Sequence, residues 1–109
     1  MLIVQDNCIF VDVDETLLLP AEGCFLPKEP NEPLIAKIKE WQELGRTVIV
    51  WTSNGDGVKH AKKTVEDLGL DGFVAMVMPK PTTIVDDDHL EYYNIIDPIT
   101  LEIRQRREE

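Results

Sequence analysis

The run at residues 47–52, Thr-Val-Ile-Val-Trp-Thr, limits more strongly than any other segment what this chain can fold into. Its apolar and β-branched side chains are continuous rather than alternating with polar ones, which predicts a parallel strand covered on both faces. Helical periodicity precedes and follows this run. A first helix is expected from the N-cap Asn31 to about Leu44, and a second over residues 57–68, with a glycine directly after each. This arrangement predicts the α/β class.

Other apolar segments extend the pattern, and they predict strands at residues 8–13, 73–77 and 82–85. Strands that alternate with helices imply parallel pairing through right-handed crossovers. We therefore expect an open, Rossmann-like sheet of mainly parallel strands with helices on its faces. The connection between the third and fourth strands, Pro79-Lys80-Pro81, is too short to hold a crossover helix, so the topology is least determined there.

The sequence predicts little regular structure in two regions. Residues 15–32 carry three prolines and a glycine, which exclude a long regular element. Segments 92–96 and 99–103 could form short strands or a helical turn, and residues 104–109 are expected to be a frayed, solvated tail. With 109 residues, the chain is expected to form a single domain over 1–109.

The charge balance limits the partners of the chain. Its 21 acidic and 11 basic residues give a net charge of −10. This argues against nucleic acid and anionic membranes, because both require surface Lys and Arg. No apolar run approaches membrane-spanning length. Cys8 and Cys24 are too few for a disulfide framework and indicate a reducing compartment. These features predict a cytoplasmic protein and leave its oligomeric state open.

Two carboxylates follow the first predicted strand. Asp12 and Asp14 are two residues apart, so in an extended chain both side chains point to the same side. Like charges this close repel one another, and desolvation adds to the cost unless a cation or a proton-transfer role compensates. The pair therefore indicates a functional site, with a role in binding a cation or in transferring a proton. The alternative, from the residues alone, is a strand-end turn capped by Asx hydrogen bonds.

Further polar residues follow the other predicted strands: Thr52, Lys80, and Asp86 with Asp87. Ligands of open α/β sheets bind in the crevice beyond the carboxyl ends of the strands. We therefore expect these side chains to converge with the acidic pair at one edge of the sheet.

This ordered set resembles the motifs of the haloacid dehalogenase-like phosphohydrolases. The first motif of that family is Asp-x-Asp-x-Thr after an apolar strand, and Asp12, Asp14 and Thr16 fill its three positions. Thr52, Lys80 and the acidic residues that follow the fourth predicted strand match the other three motifs in the same order. The resemblance implies an enzyme that hydrolyses phosphomonoesters with Mg²⁺.

The resemblance covers residues 8–88 and includes a departure from the larger family members. Those members carry a separate cap domain that closes over small substrates. Here residues 15–32 form only a loop, and residues 55–72 hold only one helix and its connection. The chain therefore resembles the small capless members, which tend to act on large substrates or to rely on a partner subunit to close the site.

The resemblance also implies a role for each carboxylate. Asp12 would be the nucleophile that forms an aspartyl-phosphate. Asp14 would be the general acid that protonates the leaving alkoxide and the base that then activates water. Asp86, with Asp87, would complete a Mg²⁺ site together with Asp12 and Asp14. A phosphate dianion would not approach so many carboxylates without a cation.

The remaining motif residues would contact the phosphoryl group. Lys80 would bring a positive charge to it and keep Asp12 ionised. Thr52 would donate a hydrogen bond to a phosphoryl oxygen, helped by the backbone amides of residues 53–55, and Ser53 is the alternative donor. Trp51 is expected either in the core or at the wall of the pocket.

Two other functions are compatible with parts of this pattern. A signalling receiver domain also combines an acidic pair with Thr or Ser and Lys, but its phosphoacceptor Asp ends the third strand, where this chain has Pro79 and Lys80. A catalytically silent domain could retain the same scaffold as a binding module. For the phosphatase, the substrate could be a phosphorylated small molecule or macromolecule, with nucleic acid disfavoured by the acidic charge.

Overall fold

The computed structural model describes residues 7–21, 28–53, 57–87 and 94–105. Several expectations lie outside these ranges, namely those for Cys24, residues 54–56, Asp88, residues 92–93 and residues 106–109. Within the ranges the chain forms seven strands and two helices. In chain order these are β1 (Cys8–Asp12), β2 (Leu18–Pro20), β3 (Lys28–Pro30), α1 (Glu32–Glu43), β4 (Thr47–Thr52), α2 (Gly57–Asp67), β5 (Met76–Pro79), β6 (Ile95–Ile96) and β7 (Ile103–Gln105).

Three strands form a parallel sheet in the order β1-β4-β5. The central strand, β4, is the run from which the α/β class was predicted. Its Trp51 lies opposite Asp12 of β1 on one side and opposite Met78 of β5 on the other. The α/β class and the parallel pairing are confirmed, and the arrangement is compatible with an open Rossmann-like fold.

Both helices form close to the predicted positions. The side chain of Asn31 caps α1 by accepting a hydrogen bond from the Leu34 amide at 3.4 Å. Gly45 and Gly69 follow α1 and α2 with φ angles of +83° and +69°, a conformation that glycine adopts without strain. Leu44 was predicted on the apolar face but is 68% exposed, because it is the C-cap, past the last helical residue.

The two described helices share one face of the sheet, whereas the sequence predicted helices on its faces. Each crossover moves one strand further in the same direction across the sheet, so two right-handed connections place both helices on the same side. The buried core lies between them and the sheet. Its members come from β1 and the turn after it, from both helices, from β4 and from the segment that follows α2: Val11, Val13, Leu17, Leu34, Ile35, Ile38, Trp41, Val48, Val50, Ala61, Val65 and Leu70.

The other face of the sheet carries a separate set of side chains. Strand alternation places Phe10 and Asp12 of β1 there, together with Ile49 and Trp51 of β4. Ile49 is buried without belonging to the core between helices and sheet, and Phe10 is 41% exposed. Asp12, one of the predicted site residues, lies on this face.

The region predicted as an irregular loop, residues 15–32, contains a short hairpin of β2 and β3. A tight turn precedes it, in which the Val13 carbonyl accepts the amides of Thr16, Leu17 and Leu18 at 3.0–3.3 Å. Glu15 adopts a positive φ of 61° within this turn. The expectation of an irregular loop was wrong because strands of three residues are too short to show a pattern between the prolines.

The third strand begins later than predicted. Residues 73–77 were expected to form it, but β5 is Met76–Pro79. Phe73 and Val74 instead belong to a turn whose amides donate to the Leu70 carbonyl at 2.9 and 3.1 Å. Both side chains pack against the core. Their apolar character therefore reports burial, and the sequence pattern alone does not separate a buried turn from a strand.

The fourth predicted strand, residues 82–85, does not form. Among the described residues no strand pairs with this segment, and Ile84 and Val85 are 52% and 98% exposed. The physical reason is the short connection after β5. A parallel neighbour requires a crossover of a dozen residues or more, and Pro81 also removes a backbone donor at the point where pairing would start.

The C-terminal part forms an antiparallel hairpin of β6 and β7. For residues 99–103 the sequence left a short strand or a helical turn open, and the structure has a turn at 98–100, with the Leu101 amide donating to the Asp97 carbonyl at 2.9 Å. The predicted tail at 104–109 begins later, since β7 extends to Gln105. Asp97 organises the turn by accepting the amides of Ile99 and Thr100 at 2.8 and 3.1 Å. Neither α1 nor α2, the helices of the described chain, is long and apolar enough to span a membrane.

Candidate active site

Three of the predicted site residues meet at the carboxyl edge of the parallel sheet. Asp12 ends β1, Thr52 ends β4, and Lys80 follows the end of β5. The Lys80 amide donates a hydrogen bond to the Thr52 carbonyl at 2.8 Å and so continues the pairing of β4 with β5. From there the Lys80 ammonium reaches a position 3.4 Å from Asp12 Oδ2. The convergence expected from strand order is thus present for the side chains of Asp12 and Lys80, whereas Thr52 contributes its backbone carbonyl.

The Asp12 carboxylate is held from two sides and remains accessible. Its Oδ1 accepts the backbone amide of Val13 at 2.9 Å, and its Oδ2 faces Lys80. The side chains of Asp12 and Lys80 are each 33% exposed. β1 was predicted to reach Val13 but ends at Asp12, and the chain then enters the tight turn. One carboxylate oxygen of Asp12 is therefore held by a backbone amide, while the other contacts the Lys80 ammonium.

Trp51 lies beneath the ammonium of Lys80. The Lys80 Nζ is 5.7 Å from the centre of the Trp51 ring, within the range of a cation–π contact. The Phe10 ring packs against Trp51 with centroids 4.5 Å apart and planes tilted by 49°. The sequence left Trp51 either in the core or at the wall of the site, and the structure places it half-buried at the site, in contact with Lys80.

Thr52 reaches the same edge, but its side chain is only 4% exposed. Strand alternation places it on the helix-covered face with Val50, opposite to the face that carries Asp12 and Trp51. Ser53, the alternative donor, is exposed directly after the strand. Both hydroxyl-bearing residues therefore lie at this edge, but Thr52 is buried and Ser53 is exposed.

Asp14 is paired with a residue that sequence reasoning missed. Lys28 at the start of β3 donates to Asp14 Oδ1 at 2.7 Å, with side-chain exposures of 31% for Lys28 and 38% for Asp14. Residues 21–27 separate β3 from the end of β2, and no local motif identifies Lys28. Only the hairpin of β2 and β3 brings it back to the acidic pair. Each aspartate at the end of β1 thus has its own lysine.

Asn31 fixes the turn that carries Asp14. Besides capping α1, its side-chain amide donates to the carbonyls of Thr16 and Pro98 at 2.8 and 2.9 Å, and its backbone amide donates to the Leu17 carbonyl at 2.8 Å. Asn31 is 3% exposed. One buried side chain therefore joins the turn after β1, the first helix and the C-terminal hairpin. The sequence indicated only its role as a cap.

Asp86 and Asp87 lie in an exposed, extended stretch after Pro81. Among the described residues no three Asp, Glu, His or Cys side chains are grouped so that they could hold a metal ion. The carboxylates at the end of β1 are nevertheless hard oxygen donors of the type that Mg²⁺ prefers, and this ion is often held by one or two carboxylates together with water and substrate phosphate. The donor chemistry of Asp12 and Asp14 fits Mg²⁺.

The side chains of Asp12 and Lys80 are partly exposed at the edge of the sheet. A shallow cavity lies elsewhere, between α2 and β5, where Lys62, Glu66 and Val77 contribute to its walls. None of the predicted site residues lines it. Its mixed charges suggest no particular ligand, and the convergence of side chains at the sheet edge is the better indication of a functional site.

Comparison of the chain with protein-family models, with curated proteins and with solved structures found no match.

Proposed function

We propose that this chain is a Mg²⁺-dependent phosphomonoester hydrolase of the haloacid dehalogenase-like type, without a cap domain, that works through an aspartyl-phosphate on Asp12. The observation that carries the proposal is the contact between Asp12 and Lys80 at the carboxyl edge of the parallel sheet, at 3.4 Å. A carboxylate nucleophile needs a nearby cation to admit a phosphate dianion, and Lys80 supplies one.

The position of Asp12 suits the first chemical step. A carboxylate oxygen of Asp12 attacks phosphorus, the ester P–O bond breaks, and the leaving alkoxide takes a proton from Asp14. The Val13 amide holds one oxygen of Asp12 and orients the carboxylate at the strand end. In the second step water gives a proton to Asp14 and attacks phosphorus, so that phosphate leaves and Asp12 is restored.

The contact between Asp14 and Lys28 adds a condition to this scheme. Asp14 Oδ1 accepts a hydrogen bond from the Lys28 ammonium at 2.7 Å, so this oxygen is occupied by a cation. It becomes accessible to the leaving group when Lys28 turns to another anion. The phosphoryl group of the substrate is such an anion, and its arrival would exchange one partner of Lys28 for another.

Mg²⁺ would be held by Asp12 and Asp14 together with water and substrate phosphate. The family resemblance implies Asp86 and Asp87 as further ligands, but within the described residues the structure does not group them with the acidic pair. When bound, the ion supplies positive charge that neutralises the phosphoryl oxygens in the transition state. The side chains of the protein contact the nucleophile and the phosphoryl group. Lys80 screens the nucleophile from the incoming dianion, and Thr52 or Ser53 donates a hydrogen bond to a phosphoryl oxygen.

The two competing functions have weaker support. A receiver domain would need a phosphoacceptor Asp at the end of its third strand, but β5 ends at Pro79 and Lys80 follows. A catalytically silent module would use the two lysine–aspartate pairs only as surface ion pairs. The convergence of three strand ends on one carboxylate favours the enzyme.

The deciding experiment measures hydrolysis of an aryl phosphate with Mg²⁺ and with chelator. The wild-type chain should turn over only with the metal, and Asp12→Asn should remove turnover while the circular dichroism spectrum is unchanged. Asp71→Asn, at an exposed aspartate outside the site, is the matched control and should keep full activity. Equal turnover by Asp12→Asn and wild type would rule out the aspartyl-phosphate, and turnover in chelator would rule out the metal requirement.

A further inference from the structure

We infer that Trp51 is a positioning residue that holds the Lys80 ammonium over Asp12. The geometry begins with the strand order. Asp12 belongs to β1 and Lys80 follows β5, so the two residues lie at opposite edges of the sheet with β4 between them. Adjacent strands are about 4.8 Å apart, so the Lys80 side chain has to cross roughly 10 Å of sheet to reach the carboxylate.

The residue that it crosses is set by the register. On β4, Trp51 is the residue directly opposite Asp12, and on β5 it faces Met78, two residues before Lys80. These three residues lie on the same face of the sheet. The Trp51 ring is therefore the surface between the two edges, and the Lys80 Nζ lies 5.7 Å from its centre and 3.4 Å from Asp12 Oδ2.

The Trp51 ring attracts the Lys80 ammonium through a cation–π contact, which an aliphatic side chain could not provide. A lysine side chain is flexible, and a half-exposed ion pair at 3.4 Å contributes little by itself. A cation–π contact at a partly exposed site adds attraction in the same position. Phe10 packs against Trp51 at 4.5 Å and limits the motion of the indole. The ring thus selects the conformer in which Lys80 reaches Asp12.

The catalytic consequence of this contact rests on the proposed function, whereas the contact itself does not. The test therefore has a spectroscopic part and a kinetic part. In the wild-type protein, the ε-methylene protons of Lys80 should resonate upfield of those of exposed lysines, because the Trp51 ring current shields them. In Trp51→Leu this shift should vanish, and the carboxyl carbon of Asp12 should shift as its cation moves away.

In the kinetic part, Trp51→Leu should lower kcat/KM for an aryl phosphate about two- to fivefold, the factor that corresponds to an exposed cation–π contact. The loss should fall mainly on kcat. Trp51→Phe keeps an aromatic face and should recover most of the loss and most of the upfield shift. Phe73→Leu removes a cation–ring contact of similar length, 5.4 Å from Lys39, away from the site, and should leave kcat/KM unchanged.

Each result decides between positioning and a purely structural role. Lys80 signals at the ordinary exposed position in the wild type would overturn the inference, whether or not the protein is a phosphatase. Equal losses for Trp51→Leu and Trp51→Phe, with the Lys80 shift unchanged, would also overturn it. A protein that lacks phosphatase activity but shows the Lys80 shift and its loss in Trp51→Leu would retain the contact and contradict only the proposed function.

Discussion

Lys80 contacts Asp12 across the full width of the parallel sheet, with the ammonium 3.4 Å from the carboxylate although the two residues belong to opposite edge strands. The central strand determines how this is possible, because its last residues offer Trp51 to the side chain of Lys80 and the Thr52 carbonyl to its amide. The geometry of the ion pair between Lys80 and Asp12 thus depends on all three strands of the sheet.

Asp14→Asn should impair hydrolysis of substrates with poor leaving groups more than hydrolysis of substrates with good ones. An alkoxide of high basicity needs the proton that Asp14 would supply, whereas an activated phenolate leaves without it. Comparing kcat/KM for an alkyl phosphate and a nitrophenyl phosphate measures the difference. Equal losses for both substrates would remove Asp14 from the role of general acid.

Lys28→Met should change the ratio of kcat/KM for the alkyl phosphate to kcat/KM for the nitrophenyl phosphate in the opposite direction. Without the ion pair at 2.7 Å, Asp14 Oδ1 is no longer occupied by a cation and can turn toward the leaving group. We expect the alkyl substrate to gain relative to the aryl substrate, even if both bind less tightly. Lys37→Met, which removes an exposed ion pair within α1, is the matched control and should leave the ratio of the two substrates unchanged.

Ser53→Ala and Thr52→Val should separate the two candidate donors to the phosphoryl group. Thr52 is buried and Ser53 is exposed, so loss of Thr52 should also affect stability. Removal of the true donor should lower kcat about 100-fold, as for a lost oxyanion-stabilising hydrogen bond. Measurements of kcat and Tm for both variants identify it, and a small effect in both would leave the backbone amides as the only donors.

Asn31→Ala should destabilise the fold by about 2–4 kcal/mol. The substitution removes the cap of α1 and two partly buried hydrogen bonds to the Thr16 and Pro98 carbonyls. Asn31→Asp keeps the capping oxygen but places a carboxylate oxygen against those carbonyls, so it should be at least as destabilising. Urea unfolding gives both values. A cost below about 1 kcal/mol for Asn31→Ala would show that the cap alone matters.

The hairpin of β6 and β7 should lose stability in acid because of Asp97. The backbone amides of Thr100 and Ile99 hold the pKa of Asp97 below its ordinary value of 3.8. A carboxyl group with a lowered folded-state pKa stabilises the fold above its unfolded pKa, and this stabilisation is lost as pH falls through the folded value. The Tm of the wild type should therefore decrease more steeply below pH 4 than the Tm of Asp97→Asn. Parallel curves would contradict this account.

The sequence by itself determined the parts of the molecule that depend on local chemistry. The continuous apolar run identified β4, Asn31 and Gly45 marked the two ends of α1, and the apolar segment predicted as a strand at 8–13 located β1, which ends at Asp12. Burial, capping and backbone conformation leave signals within a few residues, so these predictions agree with the structure to within one residue. The order of strands also predicted that the side chains of Asp12 and Lys80 would meet.

Tertiary structure decided what depends on residues that are distant in the chain. The ion pair of Lys28 with Asp14 exists because β2 and β3 form a hairpin, and the contact of Lys80 with Trp51 exists because β4 separates β1 from β5. The apolar segment at 82–85 illustrates the converse, since it has the composition of a strand but lacks a crossover long enough to reach a parallel partner. Side-chain composition predicts which segments can form strands, whereas pairing depends on the length and direction of the connections between them.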